Sequence, residues 1–379
     1  MNNTPSGIFV QQTGYKAFIP NHLPPNLTWS AALVRSLSDA DHLVGRLSSE
    51  GRLLPNPNLL IRPFIGQEAV LSSRIEGTQA TLGELLARDA GLAVKRSPDD
   101  LREVSNYVMA LEYGMSRLQT LPLSLRLVRE LHERLMSGVR GDTATPGEFR
   151  RSQNWIGPAG YTLQNATYVP PPPDRLIDCL GAWETFLQDR QVPPLVQAGL
   201  MHYQFEAIHP FLDGNGRVGR LLVPLLLMER KVLVTPILYL SAFFEATRRE
   251  YYDRLLAVSL EGRWEPWLAY FLNGVARMSE DVLDRTERIN ALLRQWSRAL
   301  ANHKPKILLN VIDLFAENPY WNVKKLADRL SVAFTTVQRA IKVLEDAHIV
   351  QQVEQAQRHR VYCARAIMDI LDEPARIDP

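Results

Sequence analysis

The chain has 379 residues, 46% of them hydrophobic and 22% charged, and a formal net charge of +2. Those fractions belong to a globular protein with a substantial core, and so small a charge excludes a surface built as a whole to attract nucleic acid or anionic membrane. Two cysteines, Cys179 and Cys363, with no CxxC pattern, exclude a disulfide framework and a cysteine zinc site.

The N-terminal MNNTPSGIFVQQTGYKAF has no basic start followed by an apolar core, so no signal peptide is expected and a cytoplasmic location is. Residues 26–49 and 99–137 are rich in Leu, Arg, Glu and Ala with few breakers, which predicts helices. Between them, SSRIEG (72–77) sets Ser72 and Glu76 four apart on one helix face, and Gly77 can end that helix. From Gly138 to Pro173 the texture changes to Gly, Pro, Thr and Asn. Inside it, β-formers flank the pair Gln164-Asn165 from Tyr161 to Val169. A short hairpin is expected there, made of Thr162, Leu163, Gln164, Asn165, Ala166, Thr167 and Tyr168 and ended by the prolines 170–173.

HPFLDGNGRVGR (209–220) is the densest chemistry in the chain. Before it, Ala198, Met201, Phe205 and Ile208 recur at helical spacing, and Pro210 disfavours helical geometry at His209, which sets that histidine at a helix end. After it, Val218, Leu221, Leu222 and Leu225 form an apolar face, so a helix starts near Gly216, with Asp213 and Asn215 as expected caps. Gly214, Asn215 and Gly216 then form a side-chain-poor turn at a helix N-terminus, where backbone N–H groups and the helix dipole favour an anion. Arg217 and Arg220 are three apart and can face one direction. Asp213 offers a hard oxygen for Mg²⁺, and His209 titrates near neutral pH. GNGRVG also spells GxGxxG, but no strand precedes it and no βαβ pattern surrounds it.

The apolar stretch from Leu221 to Phe244 is interrupted by Glu229, Arg230 and Lys231, so it reads as core and not as a membrane span, which needs roughly 20 apolar residues. Residues 240–298 are helical in pattern, with Gly262 and Pro266 as punctuation. Near Lys304-Pro305 the composition changes. Helices at 306–317, 323–330 and 335–347, then β-rich runs at 349–353 and 360–363, give the order of a winged helix-turn-helix. Thr335, Thr336, Gln338, Arg339 and Lys342 are its outward polar positions, and Arg358 and Arg360 lie on the wing. Residues 320–365 hold eight basic residues against four acids, Asp328, Glu345, Asp346 and Glu354. That excess leaves DNA binding, as a transcriptional regulator, and protein contacts, including a homo-oligomer, both open.

As a whole, HPFLDGNGRVGR resembles the Fic family signature HPFx[DE]GN[GK]RxxR at every position, and GEFRRSQNWIG (147–157) and FEATRREYYDRLLAVSLEGRWEPWLAYFL (244–272) agree with it. The resemblance implies a mainly α fold: a Fic-type helical bundle with a β-hairpin flap, followed here by the C-terminal winged helix-turn-helix. It also implies protein adenylyltransfer, in which AMP moves from ATP, with Mg²⁺, to a Ser, Thr or Tyr hydroxyl of a target protein or of the chain itself.

By resemblance His209 is the base, Phe211 a core anchor, Asp213 the metal ligand, and Gly214, Asn215 and Gly216 the anion hole. Arg217 and Arg220 hold the outer phosphates, Tyr251 and Tyr252 lie near the adenine or in the core, and residues 162–168 are the flap. Kinase-like relatives carry lysine at the position of Gly216. Ser72, Glu76 and Gly77 resemble the inhibitory pattern [ST]xxxE[GN], implying that Glu76 pairs with Arg220 and holds activity down. The expected organisation is a helical region at 1–120 with the inhibitory helix at about 64–77, a catalytic core at 121–300, and the winged helix at 301–379. His202, seven residues before His209, is expected to be a packing residue, and no HExxH or GxSxG pattern occurs.

Overall fold

The chain opens with strands, where a helical N-terminal region is expected. β1 (Asn2–Thr4), β2 (Gly7–Gln12) and β3 (Tyr15–Pro20) form an antiparallel sheet in that order. Gln12 pairs with Tyr15 across a two-residue Thr13-Gly14 turn in which Gly14 takes φ +87°, a conformation that favours glycine. Phe18 is fully buried against the rings of Phe9 and Tyr168, and its N–H donates to Val169 O at 2.9 Å. This computed structural model describes residues 2–53, 58–95, 97–139, 145–158, 160–301, 306–353 and 360–377; Lys304-Pro305, Glu354 and Arg358 lie outside them.

Helices follow: α1 (Ala31–Leu53), α2 (Asn58–Ile75), α3 (Leu82–Asp89), α4 (Pro98–Arg117), α5 (Leu125–Leu135), α6 (Pro173–Leu187), α7 (Pro194–Ile208), α8 (Asn215–Glu229), α9 (Ser241–Ala246), α10 (Arg248–Glu261) and α11 (Trp264–Ala299). The helical stretch expected over 99–137 holds two helices, because Pro122 cannot continue α4 and the Ser124 side chain accepts the Leu127 N–H to begin α5. Gly262, at φ +70°, separates α10 from α11. Pro266 breaks nothing, since it lies in the first turn of α11, where no N–H is needed.

The hairpin expected at 161–169 is absent. The ladder is a single bridge between Ile156 and Tyr168, and residues 162–165 form a turn in which Asn165 Oδ1 accepts the Thr162 N–H at 2.6 Å. The asparagine side chain bonds the local backbone and so closes a turn within the run instead of leaving two strand arms.

α7 and α8 form the centre of the bundle. Every residue of α7 after Pro194 is buried except Glu206, as expected of a helix covered on all sides.

The C-terminal segment runs α12 (Ile307–Glu317), β4 (Tyr320–Asn322), α13 (Val323–Leu330), α14 (Phe334–Asp346), β5 (Gln351–Gln352), β6 (Val361–Cys363) and α15 (Arg365–Leu371), with sheet order β4-β6-β5. α12 packs on α2. Asn322 Nδ2 donates to Ala90 O at 2.6 Å. Buried Arg285 of α11 donates to the carbonyls of Leu371, Glu373 and Pro374 at 2.8–3.1 Å.

Candidate active site

His209 caps α7 in the left-handed region (φ 49°) and donates its N–H to Phe205 O at 2.9 Å. Its ring Nδ1 is 3.2 Å from Glu206 O, which can only accept, so Nδ1 carries the proton and Nε2 keeps a free lone pair. Burial pulls its pKa down to about 4, against the opposing pull of the Glu206 carbonyl, so the ring is neutral at neutral pH.

The loop after it is held mostly through its carbonyls. Buried Arg150 donates from Nε to His209 O at 2.9 Å and from Nη2 to Pro171 O at 2.6 Å, and its backbone N–H bonds Pro210 O. Asn154 Nδ2 donates to Phe211 O at 2.9 Å. Asn215 closes the loop from the other end, its Oδ1 accepting the Phe211 N–H and its Nδ2 donating to Phe211 O. His132 of α5 stacks on Phe211 with ring centroids 3.7 Å apart. Its Nδ1 accepts the Gly147 N–H at 2.9 Å, so its Nε2 donates to Asp213 O at 3.0 Å. Burial drives the His132 pKa down to about 4. Phe211 is fully buried, the core anchor the resemblance implies.

α8 begins at Asn215 with Gly214 (φ +76°) as N-cap and without a side-chain cap. The expectation that Asp213 or Asn215 caps it fails because both side chains are engaged backwards: Asp213 Oδ1 accepts the Gly214 N–H at 2.6 Å, and Asn215 grips Phe211. The first-turn N–H groups are thereby left for a ligand.

The two arginines part company. Arg220 Nε donates to Ser72 Oγ and its Nη2 to Ser72 O, both at 2.9 Å, and Nη2 meets Glu76 Oε1 at 2.6 Å. Glu76 follows the end of α2, where Gly77 takes φ +101°. Burial raises the Glu76 pKa, but the charge and hydrogen bond of Arg220 outweigh it and leave the carboxyl below its ordinary value. Arg217 turns the other way, 3.7 Å from Glu103 Oε2 on α4 and 3.8 Å from Asp213 Oδ1, and does not border the cavity. Thr78 Oγ1 donates to the same Glu103 at 2.6 Å. Behind Ser72, Glu68 accepts from Tyr107 at 3.0 Å and from the Ser241 backbone at 3.0 Å, tying α2 to α4 and α9.

A cavity of about 600 Å³ opens over this arrangement, within the usual size of ligand sites. His209, Asp213, Gly214, Asn215, Gly216, Arg220 and Glu76 border one part of it, and Tyr251 and Tyr252 another. Tyr251 is buried and its hydroxyl lies 2.7 Å from His202 Nε2, while Tyr252 is 41% exposed. His202 is a packing residue stacked on Phe244, with its pKa pushed down to about 3 by burial. Thr167 and Tyr168 of the expected flap border the cavity; Thr162, Leu163, Gln164, Asn165 and Ala166 do not. Among the described residues no group of three or more His, Cys, Asp or Glu could hold a metal by itself. Asp213, half exposed at the cavity edge, fits the mode in which one carboxylate and substrate phosphates share a divalent cation.

His132, Arg150, Asn154, Glu103 and Glu206 are site residues that sequence reasoning misses. Four of them act through backbone or second-layer contacts that leave no pattern, and Glu206 looks like one more polar residue on a helix.

Comparison with known proteins places this geometry. Residues 34–116 match the Fic/DOC family N-terminal model and residues 122–227 the Fic/DOC family model. A protein adenylyltransferase Fic of Drosophila grimshawi is 32% identical over 216 residues, covering 55% of this chain and 40% of that relative. The chain thus spans about two fifths of the length of the curated relatives it matches. In fold, a Fic family protein from Desulfovibrio desulfuricans G20 superposes with TM-score 0.61 at 20% identity, covering 90% of this chain and 98% of that one. Fic-1 (residues 134–508) from C. elegans gives 0.51 at 22% identity, covering 67% and 74%. With both halves of the family matched in sequence and the fold shared, the chain belongs to the Fic/DOC family.

Proposed function

We propose that the chain is a protein adenylyltransferase that moves AMP from ATP to a Ser, Thr or Tyr hydroxyl of a target protein or of itself, releasing pyrophosphate. One observation carries the reading: a neutral His209, with Nε2 free, shares a cavity with the first turn of α8 and Arg220. His209 takes the proton of the attacking hydroxyl. The first-turn N–H groups of α8, at Asn215 and Gly216, receive the negative charge that develops on the attacked phosphate, the Gly214 N–H being held by Asp213. Arg220 holds the outer phosphates once Glu76 leaves it, and Tyr252 offers an open face to the base. Asp213 would hold Mg²⁺, which when bound neutralises phosphate charge.

Glu76 restrains the enzyme in this reading, because its carboxylate occupies the guanidinium that the donor needs. A charge-assisted hydrogen bond of this kind is worth about 1.5–3 kcal/mol, or roughly 10–100-fold in rate. The test is the intact mass of Glu76→Gly protein incubated with ATP and Mg²⁺, beside Glu76→Gly/His209→Ala. An AMP-sized gain that disappears without His209 is expected. A phosphate-sized gain, or one that persists without His209, overturns the reading. A wild-type rate equal to that of Glu76→Gly removes the restraint.

The C-terminal module is taken here as a winged helix-turn-helix, supported by its element order and by the exposed face of α14 that carries Thr335, Thr336, Gln338 and Arg339. DNA binding by residues 320–365 draws less support, because Lys325 bonds Asp89 O and Arg329, Lys342 and Arg365 are paired within the chain. No helix among the described residues is long and apolar enough to cross a membrane.

A further inference from the structure

Glu206 has no role in the chemistry above, yet α7 aims it into the same cavity, and it is the one residue of that helix beyond Pro194 that is not buried. Its Oε1 is enclosed and has no hydrogen-bond partner. An enclosed carboxylate oxygen that served only packing would be bonded, because leaving it unsatisfied is costly. The sequence makes room for it: a Cβ on Gly219, one residue before Arg220, would overlap Oε1.

Arg220 therefore shares the cavity with two acids of different standing, Glu76, which bonds it, and Glu206, which acts on it through its charge. Glu76 sits on a turn after α2 and can withdraw. Glu206 belongs to a core helix and cannot. The ionisable groups around it are Arg220 from α8, Glu76 from the turn after α2, Tyr251 and Tyr252 from α10, and Tyr203 and His209 on its own helical run; Arg248, Asp253 and Asp213 border the cavity farther along.

We infer that Glu206 is a fixed second carboxylate of the Arg220 phosphate site, which sets how much negative charge a donor can place there after Glu76 leaves. The inference deepens the nucleotide-transfer reading and rests on it for the identity of the ligand. In its acid form Glu206 can donate a hydrogen bond to a phosphate oxygen. As a carboxylate it repels that oxygen and competes for Arg220. Burial pushes its pKa up to about 7, with Arg220 pulling down and Glu76 up, so both forms occur near neutral pH. Its neighbours do not titrate there: His209 is held near 4, Tyr251 stays well above its ordinary value, and Glu76 lies below its own.

Calorimetric binding of ATP and of AMP to Glu76→Gly and Glu76→Gly/Glu206→Gln protein, at about pH 6 and about pH 8.5, tests this. Ionisation of the nucleotide itself, with a second phosphate pKa of about 6, is common to both proteins and cancels in their ratio. At the higher pH the glutamine variant should bind ATP about tenfold more tightly, and AMP within about twofold of its parent, the cost of one nearby like charge. At the lower pH the ATP difference should shrink, though not to nothing, because Glu76→Gly removes one of the charges that raise the Glu206 pKa. Glu206→Ala should behave like Glu206→Gln; a gain confined to glutamine would mean a new amide–phosphate bond and overturn the inference. So would an ATP difference independent of pH, or an equal one for AMP. Failure of Glu76→Gly to bind any nucleotide would overturn the nucleotide reading and this inference together, whereas a pH-independent difference sinks this inference alone.

Discussion

Glu76 rests directly on Gly216: a Cβ built on the glycine would overlap the carboxylate Oε1 that also bonds Arg220. Gly216 is thus also the floor under the acid proposed to restrain the enzyme. The effect of Gly216→Ala should depend on background. In the wild type it should displace Glu76 and cost about 1–3 kcal/mol, the value of a charge-assisted bond. With Glu76→Gly present the cost should fall below about 1 kcal/mol, since the overlap with Oε1 is gone and the better helix propensity of alanine offsets the shift that Arg220 Nη1, 2.9 Å from the new Cβ, must still make. Denaturant unfolding of the four proteins decides it; equal effects in both backgrounds would dissolve the coupling.

Three histidines make the fold acid-sensitive. His132, His202 and His209 are pushed by burial to about 4, 3 and 4. Unfolded histidines take up protons below about pH 6.5, while these stay neutral until far lower, so acid favours the unfolded chain. The stability these three contribute should be fully present above pH 6.5 and fall by about 1.4 kcal/mol per pH unit for each histidine as the pH drops toward 4. Melting temperatures across that range should decline, opposed in part by Glu206, whose raised pKa makes the fold take up that proton before the unfolded chain does, and replacing His132 with asparagine should flatten the decline. An unchanged slope would mean that His132 is not neutral in the fold.

The two tyrosines of α10 should separate stability from binding. Tyr251→Phe leaves His202 Nε2 without its 2.7 Å partner in a dry site and should cost about 1–3 kcal/mol of stability. Tyr252→Ala, at a surface position 41% exposed, should leave stability unchanged and weaken ATP about tenfold, as the loss of one stacking face does. Retained ATP affinity in Tyr252→Ala would remove this residue from the base site.

Arg285 should be the costliest single surface between the bundle and the C-terminal module. It pairs with Asp281 at 2.6 Å and donates to the carbonyls of Leu371, Glu373 and Pro374. Arg285→Ala leaves buried Asp281 with only the Tyr239 hydroxyl and the Arg376 N–H as donors, deprives the carbonyls of Ile370, Leu371, Glu373 and Pro374 of theirs, and should cost about 3–5 kcal/mol by denaturant unfolding. A loss below about 1 kcal/mol would mean that apolar contact and the pairs Arg288–Glu373 and Arg376–Asp284 hold the C-terminal residues without it.

What the sequence makes legible follows the reach of each signal. His209 at the end of a helix is readable because Pro210 acts on its immediate neighbour, and the start of α8 is readable from the spacing of Val218, Leu221, Leu222 and Leu225. The N-terminal sheet carries a legible signal too, IFV and YKAF around Thr-Gly, which the helical texture of the rest of the chain obscures. The expected hairpin fails for a local reason, the Asn165 side chain, that composition does not display. The direction taken by Arg217 is only half legible, since one of its acids, Asp213, is four residues away and the other, Glu103, more than a hundred.

The frame of the HPFLDGNGRVGR loop has a practical consequence. Asp213 and Asn215 apart, the side chains that fix its backbone, Arg150, Asn154 and His132, come from outside those twelve residues. Transplanted between two helices of another bundle, the twelve residues would lack the donors for the carbonyls of His209, Pro210 and Asp213 and would not keep the left-handed turn that aims the imidazole. A graft that works must carry at least 132–154 with it, so the unit of inheritance for this chemistry is a pair of chain segments and not one.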